Sequence, residues 1–124
     1  PKDNGFYLCG VYDRFGNRYG AYKPDINKAL ENTNTHPTVL LAHQPKFIEE
    51  IENTVGIDLI LCGHTHGGQI FPFNFLIKLQ QPYVRGLNTH NEFTQVYVNK
   101  GTGFWGPPMR LGASSEITFL KLSS

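Results

Sequence analysis

The stretch "TVLLAHQPKFIEEIENTVGIDLILC" (residues 38–62) decides the fold, because its pattern is that of a strand, a helix and a second strand. The runs 38–42 and 57–62 are apolar almost throughout, as is typical of strands covered on both faces of a sheet. Pro45 can open the intervening helix, predicted over 45–54. Its buried stripe is expected to be Phe47, Ile48, Ile51 and Val55. Such a unit is the smallest element of a parallel sheet with a right-handed crossover.

The flanking segments extend this unit into an α/β fold. A strand is predicted at 6–12 and a short helix at 24–32, and a hairpin is predicted from 83–88 and 93–99. A Gly- and Pro-rich loop (101–115) then leads to a final strand at 116–122. We therefore expect one domain over residues 1–124, with the strand–helix–strand unit followed by a mostly antiparallel hairpin region.

Composition excludes several functional classes. The chain has 124 residues, 40% hydrophobic and 17% charged, which is the profile of a globular domain. A net charge of +1 gives no electrostatic reason to bind nucleic acid or an anionic membrane. The longest apolar run is too short to span a bilayer, and no signal peptide is recognisable. Cys9 and Cys62 each lie in an apolar run, so we predict buried free thiols in a reducing compartment rather than a disulfide.

Three histidines follow the two central strands. His64 and His66 come directly after strand 57–62, in the sequence "LCGHTHGGQ" (61–69), and His43 comes directly after strand 38–42. Because sites in parallel α/β sheets form outside the carboxyl ends of the strands, we expect these imidazoles to converge. Imidazole is a ligand for zinc, iron and similar metals. The sequence therefore predicts a metal or phosphate site at this edge.

Glycines surround the histidine pair. Gly63 allows a sharp exit from the strand, while Gly67 and Gly68 allow backbone amides to approach an anion closely. For His43 alone, a structural role before a helix is an equal alternative. His36 and His90 are interpreted as surface or hydrogen-bonded residues without a functional role.

These segments resemble a known family. "LLAHQP" (40–45) and "DLILCGHTHGGQ" (58–69) resemble the last two sequence blocks of the calcineurin-like metallophosphoesterase superfamily, in particular a bacterial branch whose members often carry an N-terminal membrane anchor. "YLCGVYDRFG" (7–16), "DINKAL" (25–30) and "GTGFWGPPMRLGASSEITFLKL" (101–122) are also similar to that branch. The resemblance thus covers nearly the whole chain and implies the C-terminal half of a metallophosphoesterase-type α/β sandwich.

The resemblance also implies site residues. His43 and His64 would ligate one divalent metal ion and His66 a second, with manganese, iron or zinc as the metals. The two ions would bridge a hydroxide that attacks a phosphate mono- or diester. Arg110 would contact phosphate, with a structural ion pair as the alternative. Asp13 matches the pattern weakly, and a surface loop is the preferred interpretation.

The family's earlier ligand blocks do not occur in this sequence. No Asp-x-His string is present, and neither a bridging aspartate nor the histidine that protonates the leaving group can be placed. We therefore expect these 124 residues to be the C-terminal fragment of a larger enzyme domain. Alone, the chain is expected to be inactive, to hold at most one weakly bound ion, and to expose an apolar face or edge that permits homodimerisation. No catalytic residue is assigned within it.

Other functions remain open at this level. A degenerate, non-catalytic module could use Gly67, Gly68 and Arg110 to bind an anion or a partner protein. A structural zinc domain has little support, because such sites usually have four Cys or His ligands.

The substrate is expected to be a small phosphate ester or a lipid-linked phosphate, and membrane contact is expected only through an N-terminal anchor that this chain lacks. The expected location is cytoplasmic, or membrane-associated and facing a reducing compartment. Most aromatic residues of 70–83 and 103–109 are assigned to the core.

Overall fold

A computed structural model describes residues 4–33, 35–52 and 56–123. Its centre is a five-stranded mixed sheet with the strand order β1-β2-β3-β5-β4. The strands are β1 (Tyr7–Gly10), β2 (Thr38–Leu41), β3 (Leu59–Cys62), β4 (Gly86–Thr89) and β5 (Gln95–Val98). The α-helices are α1 (Ile26–Ala29) and α2 (Asn74–Gln80), and 3₁₀ helices span Arg14–Tyr19 and Pro45–Glu50.

The predicted α/β architecture is confirmed. β1, β2, β3 and β5 pair in parallel, and β4 pairs with β5 in antiparallel orientation as the predicted hairpin. On β5 and the residue before it, Thr94, Val96 and Val98 are buried, which is the predicted alternation. The hydrophobic core lies on one face of the sheet, where Leu40, Ile60 and Val96 occupy adjacent positions and Phe47 and Ile48 cover them.

The segment between β2 and β3 is tighter than expected. It is a 3₁₀ helix over Pro45–Glu50 instead of an α-helix over 45–54. The backbone becomes extended at Ile51, so this helix ends after six residues. At its start, the Gln44 side chain makes no capping hydrogen bond. Phe47 and Ile48 are buried as predicted, and Ile51 is half-buried, whereas Val55 lies outside the described residues. The helix predicted at 24–32 also shortens, to the single turn of α1.

The final strand predicted at 116–122 is wrong. Residues 116–122 form no strand, and Ile117 and Phe119 are each 92% exposed. Side chains in this segment alternate in direction, with the polar ones facing the protein and the apolar ones facing solvent. Glu116 and Thr118 turn inward and hydrogen-bond to Tyr97. Polar side chains therefore attach this segment to β5 in place of a backbone ladder.

The assignment of the aromatic residues to the core is also wrong. Phe71, Phe73, Phe75, Phe104 and Trp105 are all exposed. Phe75 lies in α2 and Phe73 directly precedes it. The sequence did not reveal this helix, because its apolar residues have no helical period. Cys9 and Cys62 are free thiols as predicted, but only Cys62 is buried and Cys9 is half-buried. Burial raises the pKa of Cys62 to about 12.

Candidate active site

The structure brings His43 and His64 together at one edge of the sheet. Each lies two residues beyond the end of its strand, and β2 and β3 are parallel neighbours. The Gly63 amide donates a hydrogen bond of 3.0 Å to the His43 carbonyl, which continues the pairing past the strand ends. The two imidazole rings meet edge to face, with centroids 5.1 Å apart and planes at 76°.

His66 lines the same pocket, and Arg110 holds it in place. An Arg110 Nη1 donates to the His66 carbonyl at 3.2 Å, and Nη2 lies 3.3 Å from His66 Nδ1. The guanidinium also donates to the carbonyls of Lys100, Gly103 and Ala113. Arg110 thus connects the histidine loop to the Gly/Pro-rich loop through carbonyl groups, and over the described ranges no acidic side chain pairs with it.

The histidine loop has unusual backbone geometry. His64, His66 and Gln69 have φ values of 65°, 51° and 40°, and Gly67 and Gly68 are also in the left-handed region. This conformation costs an L-residue with a side chain roughly 1–2 kcal/mol. Strained backbone of this kind concentrates at functional sites, where the surrounding structure maintains it.

Gly67 and Gly68 allow close packing within this loop. A Cβ at Gly67 would lie 2.6 Å from Lys100 Cγ, and one at Gly68 would lie 2.4 Å from Asn74 Cβ. Their amides, predicted to face an anion, donate instead to Thr65, at its side-chain oxygen (3.4 Å) and its carbonyl (2.9 Å) respectively. The geometry therefore supports a packing role for both glycines.

Two polar residues that the sequence did not single out stabilise the loop. The fully buried Gln69 side chain donates to the Trp105 carbonyl and accepts from the Trp105 amide, both at 2.8 Å. The Thr65 hydroxyl donates to the Val84 carbonyl at 2.6 Å. The signal that could have identified Gln69 is its place in the sequence, directly after the two glycines that follow His66.

Asp13 lies in the loop between β1 and a 3₁₀ helix, in line with the preferred interpretation, but it is not fully exposed. It is half-buried at the start of the 3₁₀ helix Arg14–Tyr19, where Oδ1 accepts from the Phe15 amide at 2.7 Å. The same oxygen accepts from Gln44 Nε2 at 2.9 Å, and Gln44 is adjacent to His43. Sequence reasoning missed this contact because it depends on the pairing of β1 with β2.

The electrostatics of the site favour neutral imidazole. Burial is the main cause that lowers the pKa of His64, and the charge of His43 lowers it further. Asp13 acts in the opposite direction and His66 has the weakest effect. A neutral imidazole can donate its nitrogen lone pair to a metal ion.

The histidines form one wall of an open pocket of about 410 Å³. Apolar side chains of α2 and the Gly/Pro-rich loop line another part of this pocket. The lining residues are His43, His64, Thr65, His66, Phe73, Leu76, Ile77, Gln80, Gln81 and Trp105. The pocket therefore combines a polar, metal-compatible end with an apolar side.

The donor chemistry at the polar end fits a divalent cation. His43 and His64 supply two imidazoles, and the nearby Asp13 has a buried Oδ2 with no hydrogen-bond partner among the described residues. Over the same residues, no group of three His, Cys, Asp or Glu side chains is arranged as a metal-binding cluster. The residues present thus fit one cation through two imidazoles and do not form a complete two-metal centre.

Comparison with known proteins identifies the family. The chain is 52% identical to a metallophosphoesterase of Helicobacter pylori over 119 residues, which are 95% of this chain and 32% of that protein. It is 48% identical over 122 residues to a metallophosphoesterase of Campylobacter jejuni, covering 97% of this chain and 32% of the relative. This chain belongs to the metallophosphoesterases.

Similarity within the metallophosphoesterases extends to animals. The chain is 45% identical over 126 residues to a Bos taurus protein named transmembrane protein with metallophosphoesterase domain, covering 98% of the chain and 28% of that protein. No family model matches the chain, and no solved structure gives a significant match.

This metallophosphoesterase chain spans about a third of the length of its first bacterial relatives. Membership of the family implies the use of divalent metal ions. Within residues 4–33, 35–52 and 56–123, no helix is long and apolar enough to cross a membrane.

Proposed function

We propose that this chain forms the C-terminal part of a dinuclear, metal-dependent phosphoesterase that hydrolyses phosphate mono- or diesters. The observation that carries the proposal is the edge-to-face contact of His43 and His64 at the ends of adjacent parallel strands, in a chain of the metallophosphoesterase family. His43 and His64 would hold one cation, and His66, on the same pocket wall, would serve a second.

The chain's own residues would orient the ligands and shape the substrate site. Two bound cations would supply Lewis-acid activation of water and of the phosphoester. The imidazole of His66 is positioned by Arg110, and the strained loop is held by Thr65 and Gln69. Because these contacts fix the histidines before substrate arrives, little reorganisation is needed on binding.

The apolar wall of the pocket favours a substrate with an apolar group next to the phosphate. Phe73, Leu76 and Trp105 line the same pocket as the histidines and are exposed. An acyl chain or aromatic group bound there would remove this surface from water, which contributes about 25 cal/mol per Å². A lipid-linked phosphate therefore has more support from the pocket than a wholly polar ester.

A non-catalytic anion-binding module has less support. That alternative depends on the free amides of Gly67 and Gly68 and on the guanidinium of Arg110. All three already donate to groups within the chain. An anion bound by these groups would have to displace those hydrogen bonds.

The proposal is tested by hydrolysis of bis(p-nitrophenyl) phosphate in the presence of Mn²⁺, using the full-length gene product. His64→Ala is expected to reduce kcat/KM by about 10²-fold or more, as loss of a group that stabilises the transition state does. His36→Ala is the matched control, because the His36 ring contacts Thr35 and Tyr7 and does not line the pocket. Equal activity of His64→Ala and the parent would overturn the proposal.

The 124-residue chain alone is proposed to be inactive in the same assay, because residues 4–33, 35–52 and 56–123 contain no group of three His, Cys, Asp or Glu side chains that could hold a metal ion. Turnover by this chain that is abolished by His64→Ala would show that a complete site exists within it.

A further inference from the structure

Three neighbouring parallel strands each deliver one polar side chain to the same edge of the sheet. β1 leads to Asp13, β2 to His43 and β3 to His64, and these strands are consecutive in the sheet. The carboxyl ends of parallel strands are where α/β sheets form their sites. Asp13 is the carboxylate of this set, and the proposed phosphoesterase mechanism gives it no role.

Contacts on both sides hold the Asp13 segment against the histidine segment. Asp13 Oδ1 accepts from Gln44 Nε2 and from the Phe15 amide. The neighbouring Arg14 Nε donates to Glu50 Oε1 at 2.5 Å, which ties the same 3₁₀ helix to the helix that follows His43. One carboxylate oxygen is therefore fixed, and the direction of the other is fixed with it.

The second oxygen has no partner. Oδ2 of Asp13 is buried and accepts no hydrogen bond from any residue in the described part of the chain. Burying a carboxylate oxygen without a partner is costly, so native proteins normally satisfy such atoms with a donor, water or a cation. Gln44, which donates to the fixed oxygen of Asp13, is adjacent in the chain to His43.

We propose that Asp13 is a positioning residue of the histidine site, whose carboxylate increases the affinity of the His43–His64 pair for a divalent cation. The inference rests on the proposed function, because a cation between the histidines is what gives the carboxylate its partner. Asp13 acts on that cation through space or through bound water, since no described cluster places it with two other ligands around one point.

The test is calorimetric titration of the purified chain with Mn²⁺, comparing the parent with Asp13→Asn. Asparagine keeps an oxygen that can accept from the Phe15 amide but removes the charge and replaces Oδ2 with a donor. We expect a Kd about 10- to 100-fold higher, the size of effect found when a polar group outside the ligand shell of a metal site is removed. Asp13→Ser, which keeps a capping hydroxyl, is expected to show the same loss if the asparagine variant does not fold.

Asp25→Asn is the matched control. Asp25 caps α1 by accepting from the Lys28 amide at 3.0 Å, as Asp13 caps its own helix, but it is exposed. Its substitution is expected to leave the Mn²⁺ affinity unchanged.

The outcomes separate this inference from the proposed function. Equal Kd values for the parent and a folded Asp13 variant overturn the role of Asp13, and the measured parent affinity then leaves the proposed function standing. Absence of Mn²⁺ binding by the parent chain overturns the inference about Asp13, because the histidine pair then holds no cation for it to act on, whereas the proposed function is decided by the hydrolysis assay of the full-length gene product.

Discussion

At the scale of the residue, the neighbours of His64 at the sheet edge determine its conformation and its pKa. It is on left-handed backbone, in ring contact with His43 and within reach of the Asp13 charge. Its lowered pKa keeps the ring neutral at pH 7, the form that binds metal. Without a cation, the same property makes folding stability depend on pH.

The metal-free chain is expected to lose stability on acidification, in part through His64. The folded-state pKa lies below the unfolded value of 6.5, so between the two values the unfolded chain binds more protons. Stability therefore rises with pH across that window and falls as pH drops below about 6.5. Thermal unfolding at pH 7.5 and 5.5 measures this effect, and His64→Asn is expected to lose less Tm than the parent. An equal loss in both proteins would contradict the assignment.

Gln69→Ala is expected to destabilise the chain by about 2–4 kcal/mol. It removes both hydrogen bonds to Trp105 and leaves polar groups of the Gly/Pro-rich loop unpaired, each at about 1–3 kcal/mol. Urea denaturation measures the change. Gln80→Ala, at an exposed position on the pocket rim, should change stability by at most about 0.5 kcal/mol. A loss below 1 kcal/mol for Gln69→Ala would show that the hydrogen bonds between Gln69 and Trp105 do not hold the loop.

The sequence singled out three histidines that the structure places around one pocket, and it missed the residues that support them. His43, His64 and His66 stood out because glycines and strand ends surround them. Asp13 did not, since its contact with Gln44 connects positions 31 residues apart. Such contacts depend on strand order, which local patterns do not contain.

At the scale of the element, the histidine loop and α2 form one packed unit. The backbone of Gly68 lies against the first turn of α2, with no room for a side chain. α2 has exposed apolar residues on several sides, so no periodic pattern marked it in the sequence. The sequence likewise predicted a helix after β2 but predicted an α-helix where the structure has a 3₁₀ helix. Packing determines the capping and the pitch of such a short helix.

Gly68→Ala tests this contact against Gly106→Ala. Both glycines have positive φ, at 89° and 66°, so each substitution carries a backbone cost of roughly 1–2 kcal/mol. Only at Gly68 does the new Cβ collide with Asn74, while nothing lies within 4 Å of it at Gly106. Urea denaturation should therefore show a further loss of about 1–3 kcal/mol for Gly68→Ala. Equal losses would mean that α2 moves away without resistance.

At the scale of the whole molecule, one face of the sheet is covered by the core and the other is partly open. Leu8 is 61% and Leu41 is 43% exposed, and both belong to the face opposite Leu40 and Ile60. Strands of parallel sheets are normally covered on both sides. The predicted exposure of an apolar face is confirmed for Leu8 and Leu41.

Self-association through this face is expected. Sedimentation velocity should show a sedimentation coefficient that rises with concentration, because apolar patches of this kind favour association. Leu8→Ser combined with Leu41→Ser should reduce it, whereas Leu79→Ser, exposed on α2, should not. A strictly monomeric parent chain at high concentration would contradict the expectation.

The most direct test of the central claim is the metal content of the purified chain after loading with manganese or zinc, alongside a His64→Ala/His66→Ala variant. If the chain contributes part of a dinuclear site, it should retain at most one weakly held ion, and the double variant should retain none. Two ions per monomeric chain, or an ion that persists in the double variant, would contradict it.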